Sequence, residues 1–218
     1  YYLSGTGSQP ASNVTTYTQT CPDAAAAGGP YVTNDWASQS PGEIRVESDP
    51  AQTVAADSGD PAVSAPWNPG QLVGPKPCVT APAATEPGTA NYETAPAPAG
   101  GYTLMGSPTV IAKITQAGTN SQLAARIVDI SADGTTKTLI NRGLWRPANS
   151  GYQVFQLNPN GWHVDEGHKL RLELLAKDAG GPAAAQLTNY GRPSNGQQPA
   201  TIENLELRIP VVESPGAL

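Results

Sequence analysis

The chain has 218 residues, a formal net charge of −6 and only 14% charged residues, with no cluster of Lys or Arg, which excludes a phosphate-tracking nucleic-acid surface. No run of about 18 apolar residues is present, so no membrane-spanning helix is expected. The 23 glycines and 22 prolines, set against 38% apolar residues, favour many short strands and long loops over helices and stop short of disorder.

Residues 1–101 are loop-rich and hold most of the prolines, including the run Ala81–Gly101 with Pro82, Pro87, Pro96 and Pro98. Strand-like fragments occur at Tyr1–Ser4, Asn13–Thr20 and Glu43–Ser48, and Ala24–Ala27 has the composition of a single helical turn. Proline lacks the ladder donor, so the rest of this half cannot pair continuously and is expected to wrap over the second half. Cys21 and Cys78 are the two cysteines. Their wide spacing excludes a CxxC redox or zinc pattern, leaving a disulfide or two unrelated thiols. A bridge would close a loop of about 58 residues and contribute roughly 4 kcal/mol through chain entropy. It would suit an oxidising, extracytoplasmic compartment, as does the abundance of Thr, Asn, Gln and Ser. Asn13-Val14-Thr15 has the pattern of a glycosylation sequon, meaningful in a eukaryotic secretory route. The chain opens on Tyr1 rather than Met, and a fragment of a longer polypeptide or a processed product is expected.

Residues 102–213 read as a regular series of strands, followed by a tail at 214–218. Thr109–Gln116 alternates Val110, Ala112 and Ile114 against Lys113 and Thr115. Gln122–Ile130 puts Leu123, Ala125 and Ile127 on one face, and Asp133-Gly134 signals a tight primed hairpin turn into Thr136–Arg146. Tyr152–Leu157 stops at Asn158-Pro159-Asn160-Gly161. His168–Lys177 sets Leu170, Leu172 and Leu174 against Lys169, Arg171 and Glu173. Asn204–Val211 sets Leu205, Leu207 and Ile209 against Asn204, Glu206 and Arg208. Period-two alternation in strand after strand predicts sheets with one dry and one wet face. Two such sheets stacked face to face form an all-β sandwich over residues 1–218, with the first half as a loop-rich elaboration.

The residue types that carry catalysis are sparse. No Gly-x-Ser-x-Gly elbow occurs; Gly5-Thr6-Gly7-Ser8 and Met105-Gly106-Ser107 lack its spacing. His163 and His168 flank Asp165 and Glu166, but five-residue spacing matches no strand or helix face and supplies no third nitrogen or sulfur ligand for zinc. Trp162–Gly167 reads instead as a polar turn, and His168, in phase with Leu170, as a rim residue with a hydrogen-bond partner. Asp129, Asp133, Asp165 and Glu166 form no DxDxDG run, so no cofactor is expected, with a calcium ion on these loop carboxylates as the lesser alternative. Trp67, Trp145, Trp162 and Tyr190 fall at strand ends or in loops. They either stack on sugars or a neighbouring domain, or plug the ends of the sandwich.

Several short motifs occur in a particular order: Tyr92-Glu93-Thr94 before prolines; Leu104-x-Gly106-x-Pro108-x-Val110; Ala125-Arg126-Ile127-Val128-Asp129 then Asp133-Gly134; Gly143-Leu144-Trp145-Arg146; and Gly167-His168-Lys169-Leu170-Arg171-Leu172. Together with Tyr1-x-Leu3 and Asp49-Pro50 they resemble the C-terminal domain of X-prolyl dipeptidyl aminopeptidases and the related cocaine-esterase-like (CocE/NonD) acyl hydrolases. The chain departs from that pattern at Gly88-Thr89-Ala90-Asn91, where the family carries a charged Arg-x-Asp segment. The resemblance implies a jelly-roll sandwich of the galactose-binding-like type that packs on an α/β-hydrolase domain of the same polypeptide. The catalytic serine, aspartate and histidine lie in that other domain, and none maps here. The accessory reading places contacts at Trp145, Arg146, Trp162, Tyr190 and Arg192. The alternatives are a stand-alone carbohydrate-binding module and a structural cell-surface domain.

Overall fold

In a computed structural model of the chain, residues 4–9, 11–22, 24–67, 78–116, 122–176, 178 and 199–214 are described. The strand expected at Tyr1–Ser4 therefore lies almost wholly outside the described residues, and Tyr190 and Arg192 lie outside them too. The strands run β1 (Val14–Thr16), β2 (Tyr31–Thr33), β3 (Gly42–Ser48), β4 (Gln52–Val54), β5 (Thr80–Pro82), β6 (Ala90–Glu93), β7 (Tyr102–Gly106), β8 (Thr109–Gln116), β9 (Leu123–Ile130), β10 (Thr136–Trp145), β11 (Gly151–Gln156), β12 (Asn160–Val164), β13 (Lys169–Leu175) and β14 (Ala200–Val211). Helix among the described residues is confined to single turns: α1 (Pro61–Ser64), with 3-10 turns at Ala37–Gln39 and Ala65–Trp67. Ala24–Ala27 forms no helix.

Two antiparallel sheets form the sandwich. One has the order β5-β10-β9-β13-β6, and the other β11-β8-β14-β7-β12 with β3 and β4 also paired to β14. The first half therefore does more than wrap the surface, since β3, β4, β5 and β6 are laddered into both sheets. The alternating residues behave as their periodicity requires. Val110, Ala112 and Ile114 meet Leu123, Ala125, Ile127, Leu170, Leu172, Leu174, Leu205, Leu207 and Ile209 in one core, each nearly or fully buried. Burying a side chain of Val, Leu or Ile size contributes about 1.5–3 kcal/mol.

Three expectations are corrected. The β9–β10 hairpin forms, but of its two central residues only Gly134 has positive φ (70°). The Gly134 N–H donates to the Ser131 carbonyl (2.8 Å), and the Asp133 carboxylate accepts from the Thr135 N–H (3.0 Å). That is a type I turn closed by a left-handed glycine rather than a primed turn. Trp162 and Val164 belong to β12, paired with Leu104 and Tyr102, so the polar turn shrinks to Asp165–Gly167.

The third correction concerns the five-stranded sheet, whose second face is not wet. Every residue of β9 is buried, and Arg171 and Glu173 of β13 are 7% and 1% exposed. Trp67, Ala81 and Ala83 lie over Val128 and Ile130 there, with Val63, Val79 and Leu139 packed alongside. Described residues on either side of β5, within 60–67 and 83–86, thus cover the sheet as a partial third layer. Beneath it, Arg126 Nε meets Glu173 Oε2 at 2.5 Å, its cross-strand neighbour, and Arg126 Nη1 meets Asp178 Oδ1 at 3.0 Å. Arg126 also pairs with Glu86 and lies 5.2 Å from the Trp67 ring centroid. Lys137 Nζ joins Glu173 (2.8 Å) and Glu86 (3.2 Å). Burial works to raise the Glu173 carboxyl, but the charges of Arg126 and Lys137 and their hydrogen bonds outweigh it and hold it below its ordinary value.

Removing one partner strands a buried charge, so Glu173→Gln is expected to lose about 3–5 kcal/mol in urea unfolding at neutral pH. Because the folded-state pKa is depressed, Glu173 contributes stability above its unfolded value of about 4.3, and this is lost as pH falls through the lower folded value. The variant is expected to show a correspondingly flatter acid limb. An equally steep limb would contradict this assignment.

Candidate functional site

At the end of the sandwich where β9 turns into β10, a cleft of about 400 Å³ opens. Asp129 shares the parity of Ala125 and Ile127, so it is the residue at which the core face of β9 becomes polar. It lies level with Thr138 of β10, which lies level with Thr80 of β5. The opposite wall is Trp162 and His163 of β12, and the third is the segment Gln19–Cys21.

That third wall is held at several points. The Gln19 N–H donates to the Gly161 carbonyl (2.8 Å). A Cβ at Gly161 would stand 2.7 Å from the Tyr17 carbonyl oxygen, so the arm approaches β12 as closely as it does because this position is glycine. The expected bridge is present: Cys21 and Cys78 are joined (S–S 2.05 Å, Cα–Cα 5.3 Å), tying the arm to the chain entering β5.

Asp129 is 5% exposed. Its Oδ2 accepts the Trp162 indole N–H at 2.8 Å, and its Oδ1 faces His168 Nδ1 at 2.8 Å. Burial pushes the Asp129 carboxyl above the usual range, and the hydrogen bonds from Trp162 and His168 offset part of that rise. His168 thus has the rim position and partner expected of it. His163 is more open, with Nδ1 3.1 Å from Thr103 Oγ1 and Nε2 3.8 Å from Asp165 Oδ1. Among the described residues no three His, Cys, Asp or Glu side chains gather as a metal site, and no hydroxyl there is hydrogen-bonded to His168. The arrangement is a polar, hydrogen-bonding cleft.

The other candidate residues separate from one another. Trp162 is 7% exposed and lines the cleft. Trp145, at the end of β10, packs against the core and stacks on Phe155 with ring centroids 5.3 Å apart. Trp67 is buried, its indole N–H on the Val79 carbonyl at 2.9 Å. Trp67 and Trp162 are thus buried and Trp145 half-buried. Arg146 is exposed. Asp133 is taken up by its own turn, with Ser131 Oγ donating at 2.6 Å, and Glu166 is exposed on the β12–β13 turn. Sequence reasoning missed Asp129 as the centre of the site. The available signal was an acidic residue in phase with Ala125 and Ile127, where a core residue belongs.

No family model matches the chain, and no curated protein does. Solved structures do. An aminopeptidase from the marine sediment archaeon Thaumarchaeota archaeon superposes with a TM-score of 0.56 at 10% identity, over 85% of this chain and 39% of that one. A CocE/NonD family hydrolase from Staphylococcus aureus gives a TM-score of 0.47 at 10% identity, over 78% of this chain and 34% of that one. An α-amino acid ester hydrolase gives 0.41 at 12% identity, over 56% and 25%. The aminopeptidase match bears on the fold that the sequence motifs imply. The chain is an all-β sandwich sharing its fold with part of the aminopeptidase, and it spans about two fifths of that protein's length.

Replacing Trp162 by Phe removes the donor to Asp129 Oδ2. The carboxyl pKa, followed by carbon-13 shifts, is expected to rise further, and the orphaned acceptor to cost about 1–3 kcal/mol in denaturant unfolding. A lower pKa in the variant would show that the indole does not support the carboxylate.

Proposed function

We propose that this chain is a single non-catalytic β-sandwich domain, of the jelly-roll, galactose-binding-like type, from a larger serine hydrolase of the X-prolyl peptidase or acyl-esterase kind. It packs on an α/β-hydrolase domain of the same polypeptide and shapes access to that domain's active site. The observation that carries the reading is the asymmetry of the match: 85% of this chain corresponds to only 39% of the aminopeptidase, so the counterpart is a part, with the rest of a hydrolase beside it. The order of the sequence motifs supports the same family. The surface also offers apolar area for such a contact. Tyr152 and Val154 of β11 are 67% and 61% exposed, on the outward side of a strand whose Phe155 is buried. Arg146, exposed just past β10, supplies a cation for the same role. The disulfide supports an extracytoplasmic setting. No helix among the described residues is long and apolar enough to cross a membrane.

The purified chain is expected to show no turnover of a nitrophenyl ester or an X-Pro nitroanilide above buffer. The gene is expected to encode an α/β domain with Gly-x-Ser-x-Gly upstream of Tyr1. Unaided turnover, or a gene lacking that domain, would overturn the proposal.

A further inference from the structure

We propose that β11 is the edge through which two copies of this chain join, pairing antiparallel about Val154. A strand at the edge of a sheet carries unpaired N–H and C=O groups, and proteins blunt such edges with cover, proline, charge or brevity. Those devices are in place at the other edges of the two sheets. The Gln19–Cys21 arm lies along β12, with the Gln19 N–H on the Gly161 carbonyl (2.8 Å). The Gln52 side-chain amide closes β6, donating to the Asn91 carbonyl and accepting from the Asn91 N–H, both at 2.9 Å. β4 and β5 are three residues each, and β5 ends on Pro82. β3, paired among the described strands to β14 alone, carries the exposed charges Glu43, Arg45 and Glu47.

β11 has none of these devices. Its six residues, Gly-Tyr-Gln-Val-Phe-Gln, include no proline and no charge, and among the described strands it pairs with β8 alone. The phase of that pairing shows which groups are left over. The Leu157 N–H donates to the Pro108 carbonyl (2.9 Å), so in the same register Phe155 exchanges its hydrogen bonds with Val110, and Gln153 with Ala112. Tyr152, Val154 and Gln156 fall between, and their N–H and C=O groups point out of the sheet edge. No described group bonds them there.

The chemistry of this edge selects a second copy. Pairing about a two-fold axis at Val154 sets Tyr152 opposite Gln156 of the partner subunit, and each such pair exchanges two hydrogen bonds. Residues near a two-fold axis meet their own kind, so a charged edge repels its copy. Chains of net charge −6 approach most readily where charge is absent, and β11 is such a place. Lys113, level with Tyr152 on β8, is paired with Glu203 at 3.1 Å. The Val154 side chain, 61% exposed, gains its own copy as a neighbour on the outer face.

The inference does not rest on the accessory role. The side chains of Tyr152 and Val154 stand off the face of the sheet, whereas the pairing groups lie in its plane, so a copy at the edge leaves the face open to a hydrolase domain. In sedimentation equilibrium the disulfide-intact chain is expected to be dimeric at roughly 0.5 mM and to dissociate on dilution to about 1 μM. Amide exchange, read by mass spectrometry with residue-level fragmentation, is expected to be about tenfold slower in the dimer at Tyr152, Val154 and Gln156. Gln153 and Phe155, bonded to β8, are expected to be slow at both concentrations. Val154→Lys sets two cations on the axis at an exposed position and is expected to weaken the dimer about tenfold or more, with circular dichroism unchanged. Val154→Thr, neutral and strand-forming, is expected to keep it, as is Val32→Lys, at a position 55% exposed on β2. The proposal fails if the chain stays monomeric at the higher concentration, if Val154→Lys dimerises as the parent does, or if a dimer forms without slowing the amides of Tyr152, Val154 and Gln156.

Discussion

Arg126 has no access to solvent, and much of the architecture follows from that. A guanidinium taken out of water loses several kcal/mol of hydration unless carboxylates and hydrogen bonds replace it. Here the replacements come from three stretches of chain: Glu173 from the adjacent strand, Glu86 from the covering segment and Asp178 from just beyond β13. Lys137 shares Glu86 and Glu173 with it. Two cations and two shared carboxylates cannot be satisfied in the sheet alone. The cover must be in place for Glu86 to arrive, and once there it excludes the water that would otherwise screen the pairs. The Glu86 carboxylate also accepts from the Asp60 N–H, which pins the start of the covering segment to its end.

The same strand sets the functional end of the molecule. β9 points Arg126 away from the core and Asp129, three residues on, toward it. The ionic cluster fixes the register of β9 against β13, where Arg126 stands level with Glu173 and Asp129 with Leu170. A slip of one residue would exchange the two faces, placing the guanidinium in the apolar core and the aspartate under the cover. The buried cluster therefore positions the cleft residue without touching it.

Alternation in the sequence was enough to locate β8, whose bounds are as expected, and to place β9, β10, β11 and β13 within two residues. β14 starts earlier, at Ala200, because a bulge between Glu203 and Glu206 interrupts the period that marks it. What alternation cannot say is whether a polar face is covered. Lys169, Arg171 and Glu173 have the pattern of a solvated edge, yet two of the three are buried, because the cover that hides them comes from the far earlier segment ending at Glu86. β7 and β12 escaped notice for a different reason. Each offers only two or three inward side chains, and the glycine at 161 dilutes the strand signal while permitting the arm to approach. His168 was legible as a rim residue with a partner. That its partner is Asp129, and that Trp162 reaches the same carboxylate from the other sheet, depends on the stacking of layers, which no single strand encodes.

Two buried carboxylates on one sheet show how differently such groups are used. Glu173 is surrounded by cations and is held in its ionised form; it favours folding at neutral pH. Asp129 has an indole, an imidazole and apolar neighbours, and its carboxyl is pushed the other way. With a folded-state pKa above the unfolded one, its ionisation opposes folding above that value, and the opposition is relieved as pH falls toward the unfolded pKa. An apolar residue at position 129 would remove that opposition but would leave the buried Trp162 indole N–H and His168 without their partner. Each carboxylate is kept by its partners: Glu173 by cations of its own sheet, and Asp129 by a tryptophan from the facing sheet and a histidine at the head of β13.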